Sequence, residues 1–178
     1  KMVLDHQAIA KALDLMAQGL GARASDGPLA VVGIRRGGEA LAHRLASLIT
    51  KHTGTKPPIG MVDITLYRDD GFDPGDWPTV GVTQIEFDLK AHTIVLVDDV
   101  LWTGRTARAA IDAILDYGRP RAVRLAVLVD RGMRELPIRP DAVGISIEAR
   151  PDEHIDVRVG READPEDVVI REIRKEKE

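Results

Sequence analysis

Thr93–Ala113 reads TIVLVDDVLWTGRTARAAIDA. An apolar β-branched run, Thr93–Val97, closes on paired carboxylates, Asp98 and Asp99. Thr103, Gly104, Arg105 and Thr106 follow, and a helical pattern begins. Ala110, Ile111, Ile114 and Leu115 share one helical face over Thr106–Tyr117, and Gly118 with Pro120 stops it. A buried strand running through a glycine turn into a helix is the repeating unit of open α/β sheets. Working outward, Leu29–Ile34, Met61–Leu66, Arg121–Val129 and Ala142–Ile147 are further short apolar runs suited to strands buried on both faces. Helical patterns separate them. Asp5 can cap a helix whose Ala8, Ile9, Ala12, Leu13, Met16 and Leu20 align, and Leu41, Leu45, Leu48 and Ile49 do so within Gly38–Lys51. The expected fold is α/β, a mostly parallel central sheet flanked by helices.

The 178 residues suit one domain. Aromatics make up only 3%, so Val, Ile, Leu and Ala must build the core. The formal net charge of −4 provides no global field for DNA, RNA or anionic lipid, so a polyanion must meet a local site. With no cysteine, disulfides, thiolate metal sites and a Cys nucleophile are excluded. No apolar run approaches a membrane span, and cytoplasmic placement is the expectation. The five histidines, His6, His43, His52, His92 and His154, show no metal-ligand spacing. One segment, about 68–83, is polar and rich in Gly, Pro and Asp, and reads as a lid over a site.

The carboxyl end of the central strand is where open α/β sheets bind ligands. A helix N-terminus offers free N–H groups and a partial positive charge to a phosphate, and Gly104 lets backbone approach it. Two carboxylates beside a phosphate site repel it unless the same ligand also presents hydroxyl groups or a cation lies between. A ribose 5-phosphate meets this demand, its phosphate on Thr103–Thr106 and its 2′- and 3′-hydroxyls on Asp98 and Asp99. Gly33–Gly38 (GIRRGG), between a strand and a helix, places Ile34, Arg35, Arg36 and Gly37 in a glycine-rich loop whose arginines can face an anion.

VLVDDVLWTGRT resembles the phosphoribosyl-diphosphate signature of type I phosphoribosyltransferases. Together with DITLYRDD (Asp63–Asp70) and LVDRGMRELPIR (Leu128–Arg139) it is similar to the PyrR family of bifunctional pyrimidine-operon attenuation regulators and uracil phosphoribosyltransferases. The resemblance covers most of the chain and implies a phosphoribosyltransferase domain over residues 1–178, with the lid and a small hood built by C-terminal segments. It implies that uracil and phosphoribosyl diphosphate give UMP and diphosphate with Mg²⁺, which phosphoribosyl diphosphate carries in without a dedicated protein cage. It further implies a homodimer or higher homo-oligomer, and a pyrimidine messenger leader as a UMP-dependent partner.

The implied nucleotide site is Val97, Asp98, Asp99, Val100, Leu101, Trp102, Thr103, Gly104, Arg105 and Thr106. Arg68 would close over the diphosphate as a third catalytic group beside Asp98 and Asp99, and Trp102 would lie against the lid. Val129, Asp130 and Met133 fall where the family approaches the base. The family's diphosphate loop commonly reads G-I-x-x-R-G, and here the fifth place is Gly37. RNA candidates are Arg134 and Arg139, with a salt bridge to Glu135 as their competing role. Asp14, Leu15, Gln18 and Ile145 stand where family regulators carry polar or basic groups. Two other readings compete with the enzyme: an RNA-binding attenuator with little activity, and a phosphoribosyltransferase for a purine base.

Overall fold

The computed structural model describes residues 1–70 and 79–173, the side chains of 25 and 26 excepted. Five parallel strands form the central sheet in the order β3-β2-β4-β5-β6. They are β2 (Leu29–Ile34), β3 (Ile59–Val62), β4 (Thr93–Leu101), β5 (Ala122–Asp130) and β6 (Ala142–Ser146). Every residue of β2 is buried, as a strand covered on both faces requires. On one face pack α1 (His6–Ala22) and α2 (Gly38–Thr53); on the other lies α3 (Arg105–Leu115). Ile9, Leu13, Met16, Ala17 and Leu20 form the buried stripe of α1, and Asp5 Oδ1 accepts the Ala8 N–H at 2.9 Å, a cap worth about 1 kcal/mol. The buried hydrophobic side chains among the described residues are Ile, Leu, Val, Met and Ala, as the scarcity of aromatics demands.

Several boundaries move from their sequence expectations. The apolar run expected at Met61–Leu66 forms its strand at Ile59–Val62. Asp63 then takes the Thr65 N–H on its own Oδ1 at 3.0 Å and turns the chain into a 3₁₀ turn, Thr65–Tyr67. β4 continues through both aspartates to Leu101, because Asp98 and Val100 stay in register with Val127 and Val129. α3 stops at Leu115, which is exposed.

β1 (Met2–Leu4), β7 (Glu153–Arg158) and β8 (Val168–Ile173) make a separate antiparallel sheet, ordered β1-β8-β7, and this is the hood. Its β7–β8 turn is fastened to α2 by a buried ion pair, Arg44 Nη1 to Asp167 Oδ2 at 2.6 Å. Asp167 also accepts the N–H groups of Gly160 and Asp164, so the buried carboxylate is satisfied on several sides. Of the expected lid, residues 71–78 lie outside the described residues, as do residues 174–178 of the C-terminal tail. From the lid's far side, Gln84 bridges antiparallel to Met61 of β3.

β2 lies between β3 and β4, so the connections leaving β2 and β4 run to opposite sides. Their adjacent carboxyl ends form a topological switch point, the position at which such sheets leave a crevice.

Candidate active site

Two loops meet at this crevice. Gly33 of β2 pairs in register with Val97 of β4, so the loop after Ile34 runs beside the two aspartates. The approach is close enough to require glycine twice. A Cβ at Gly38 would lie 2.0 Å from the Val97 carbonyl oxygen, and one at Gly37 would lie 2.3 Å from Asp99 Oδ2. An arginine at 37, as in the family pattern, has no room for its first carbon here. The loop's cations stand at 35 and 36, across a cis Arg35–Arg36 peptide bond.

A cleft of about 550 Å³ lies over this junction, lined by Arg35, Arg36, Gly37, Asp98, Asp99 and Thr106 among others. Arg35 is half-buried. Its Nη2 donates to Gln84 Oε1 at 3.1 Å, while its Nε is buried with no hydrogen-bond partner among the described residues. Arg36 is exposed. A second cleft of about 310 Å³ shares Asp98, Asp99, Val100 and Thr106, and continues along Trp102, Thr103 and Gly104 to Arg131 and the hood strand, His154–Val157. The two acids therefore form a ridge between a cationic cleft and one roofed by the hood.

The acids differ. Asp98 is 8% exposed and Asp99 is half-buried. The Asp99 N–H donates to Asp98 Oδ1 at 3.0 Å, and the Val100 N–H donates to Asp99 Oδ1 at 2.7 Å. Burial, and then the Asp99 charge, hold the Asp98 carboxyl well above the usual carboxylate range.

Gly104 takes a left-handed backbone, φ 91°, and starts α3 with no side-chain cap. The first-turn N–H groups there carry the positive end of the helix dipole. Thr103 Oγ1 accepts the Arg105 N–H at 3.3 Å. Hard oxygens, backbone N–H groups and arginines around one crevice can hold a phosphorylated sugar and a polyphosphate together.

The phosphoribosyl transferase domain family matches residues 1–163. The bifunctional protein PyrR of Thermus aquaticus is 56% identical over 141 residues, covering 79% of this chain and 77% of the relative. This chain belongs to the PyrR family. The PyrR of Pelotomaculum thermopropionicum is 46% identical over 169 residues, covering 94% of this chain and 93% of the relative. Among solved structures, the hypoxanthine phosphoribosyltransferase of Trypanosoma cruzi shares the fold, with a TM-score of 0.73 over 98% of this chain and 97% of that one at 14% identity.

In this PyrR chain the expected site residues divide. Asp98 to Gly104, Thr106 and Ile34 to Gly37 line the crevice; Val97 is buried beneath it, and Arg105 lines a neighbouring cleft with Arg68, Asp69 and Asp70. Arg105, expected to meet the phosphate largely through its backbone, has its guanidinium paired with Glu135 at 2.7 Å and Asp69 at 2.6 Å. Its side chain is thereby committed to neighbouring carboxylates and only its backbone remains at the helix start. Arg68 lines the cationic cleft, but its guanidinium is held by Asp70. Trp102, expected against the lid, lines a cleft with Arg68, Asp69 and Asp70 at the lid's start and also has the Arg131 guanidinium 4.5 Å from its ring centroid.

The expected base residues lie off the cleft wall. Val129 is fully buried in β5, and Met133 is exposed at φ 59°. Asp130 accepts from Arg134 Nη2 at 2.7 Å and from the Gly132 N–H at 2.9 Å. Residues that line the roofed cleft but were not singled out as site residues are Arg131, Ile155, Asp156 and Val157, with His154 beside them. Arg134, an RNA candidate, turns inward: it donates to Asp130 and to the carbonyls of Ile138, Trp102 and Gly132. Its carboxylate partner is Asp130, whereas Glu135 serves Arg105. Arg139 is exposed.

A stability test follows from Asp98. Unfolded, its carboxyl ionises near pH 4, about the model-peptide value, and folded it ionises at higher pH. Between those two values the folded state binds the extra proton. Stability is therefore full below the unfolded pKa and is lost as pH rises toward the folded one. Asp98→Asn abolishes this loss. Thermal melts between pH 5 and 8 are expected to give the variant a flatter profile and a higher Tm at the alkaline end. Superimposable profiles would refute a raised Asp98 pKa.

Proposed function

We propose that the chain joins uracil to the ribose of phosphoribosyl diphosphate, giving UMP and diphosphate. The observation that carries this reading is the ridge of Asp98 and Asp99 between the arginine-bearing loop and the uncapped start of α3. In this reading the 5′-phosphate accepts from the first N–H groups of α3, and the ribose 2′- and 3′-hydroxyls donate to the two carboxyl groups. The diphosphate lies on Arg35 and Arg36, with Arg68 closing from the lid base. Uracil sits under β7, beside Arg131. As uracil N1 attacks C1′, the C1′–oxygen bond breaks, the diphosphate leaves with the electron pair, and the N1 proton passes to solvent. Positive charge grows at C1′, and the carboxylate below the ring stabilises it.

Among the described residues no cluster of three or more His, Asp or Glu forms a metal cage. The hard oxygens of Asp98 and Asp99 at the cleft suit Mg²⁺ that arrives on phosphoribosyl diphosphate and keeps most of its water. When bound, it supplies neutralisation of the leaving group.

The relatives are named bifunctional proteins, which fits a second role, and we take that role to be transcription attenuation through a pyrimidine leader RNA. On this chain the inward Arg134, the exposed Leu15 and the acidic Asp14 of α1, in contact with His52 of α2, reduce the basic face such binding needs. We therefore rank catalysis first. Purified chain with Mg²⁺ and phosphoribosyl diphosphate is expected to release diphosphate with uracil and not with hypoxanthine or guanine. A purine preference would overturn the substrate assignment. Filter binding of the organism's own leader, with and without UMP, tests attenuation.

A further inference from the structure

Glu39 introduces a problem into the cationic cleft. It stands in the first turn of α2, half-buried, and lines the cleft beside Arg35 and Arg36. A carboxylate there repels a diphosphate and competes with it for Arg35, whose Nη1 lies 3.8 Å from Glu39 Oε2. The hood meets this charge. Arg161, in the β7–β8 turn, places its Nη2 against Glu39 Oε1 in the shorter of the two pairings Glu39 makes with arginine. The turn that carries Arg161 is the one clamped to α2 by the buried Arg44–Asp167 pair. His43, one helical turn after Glu39, does not substitute as a counter-cation. Burial and then the Arg161 charge lower its pKa, so it holds a proton less readily than a free imidazole.

We propose that Arg161 is a positioning residue for diphosphate binding: it occupies Glu39, neutralises it, and so leaves Arg35 available to the ligand. The inference rests on the reading that this cleft takes diphosphate. It assigns the hood a task beyond roofing the other cleft. One rigid hairpin then borders the base side through β7 and sets the charge of the diphosphate side through its turn.

The Arg161 side chain is 62% exposed, so its removal leaves the core intact and its electrostatic effect is moderated by solvent. Titration calorimetry with inorganic diphosphate and Mg²⁺ provides the test. Arg161→Ala is expected to weaken binding about three- to fivefold, the size of an exposed ion pair, with a smaller loss in high salt. Arg161→Lys keeps the affinity. Adding Glu39→Gln to Arg161→Ala restores it to within about twofold, because the Glu39 charge that Arg161 offset is gone. UMP affinity and Tm stay near wild type throughout. A merely structural role for Arg161 gives no such suppression.

Unchanged diphosphate affinity in Arg161→Ala overturns the proposal, as does failure of Glu39→Gln to restore it. If the wild-type chain binds UMP but not diphosphate, the assignment of the cleft fails first and takes this inference with it.

Discussion

Asp99→Asn is expected to lower turnover on the order of a hundredfold while the chain stays folded, and Asp98→Asn to lower it by about tenfold or less. The inequality follows from the environments of the two acids. Asp98 is buried, and burial with the Asp99 charge holds its carboxyl well above the usual range, so it keeps its proton to higher pH than an exposed aspartate does. Asparagine copies a protonated carboxyl in shape and in lacking charge. Asp99 is half-buried and faces both clefts. A charge there meets the positive charge that grows at C1′, and asparagine removes it. Steady-state kinetics on both variants check this, with kcat and KM for phosphoribosyl diphosphate resolved separately. Equal losses, or a larger one at Asp98, would exchange the roles assigned to the two acids.

The loop glycines carry the second large effect. At Gly37 an added Cβ meets the Asp99 carboxylate, which a side-chain rotation can clear. Gly37→Ala is therefore expected to fold with a Tm near wild type and to lose about tenfold or more in kcat/KM, because a displaced catalytic group is costly. At Gly38 the same methyl meets the Val97 carbonyl, which belongs to the central strand and cannot rotate away. Gly38→Ala is expected to lose about 1–3 kcal/mol of stability, read as a fall of roughly 2–4 °C in Tm per kcal/mol. Gly19→Ala in α1, where a Cβ meets nothing within 4 Å, is the control and keeps full activity. Should Gly37→Ala behave like this control, the close packing of the two loops has no functional weight.

The central sheet was legible because its strands are buried on both faces and write themselves as unbroken Val, Ile and Leu. Leu29–Ile34 is found where the pattern puts it. The reading stopped too early at Val97 because two charges look like an end, although β5 keeps them in register. The hood strands stayed unread for the opposite reason. EHIDVR and VVIREI are short, half-exposed and charge-rich, and only their mutual pairing makes them strands.

Within the site, residue types at fixed spacing marked Asp98, Asp99 and the turn to Gly104. The employment of each arginine could not be read. Arg105 turns to Asp69 and Glu135, Arg134 to Asp130, and Arg161 to Glu39, 122 positions away in sequence. Such choices depend on which carboxylate the fold brings near. Arg131 was hidden likewise, since a buried arginine over Trp102 needs the hood beside it to become part of a cleft wall.

The contact between Gly38 and the Val97 carbonyl also governs how the molecule can breathe. Segments 59 residues apart touch there through backbone alone, with no compressible side chain as a cushion. Opening and closing must therefore be delegated to peripheral pieces, while this paired floor travels as one stiff plate beneath them.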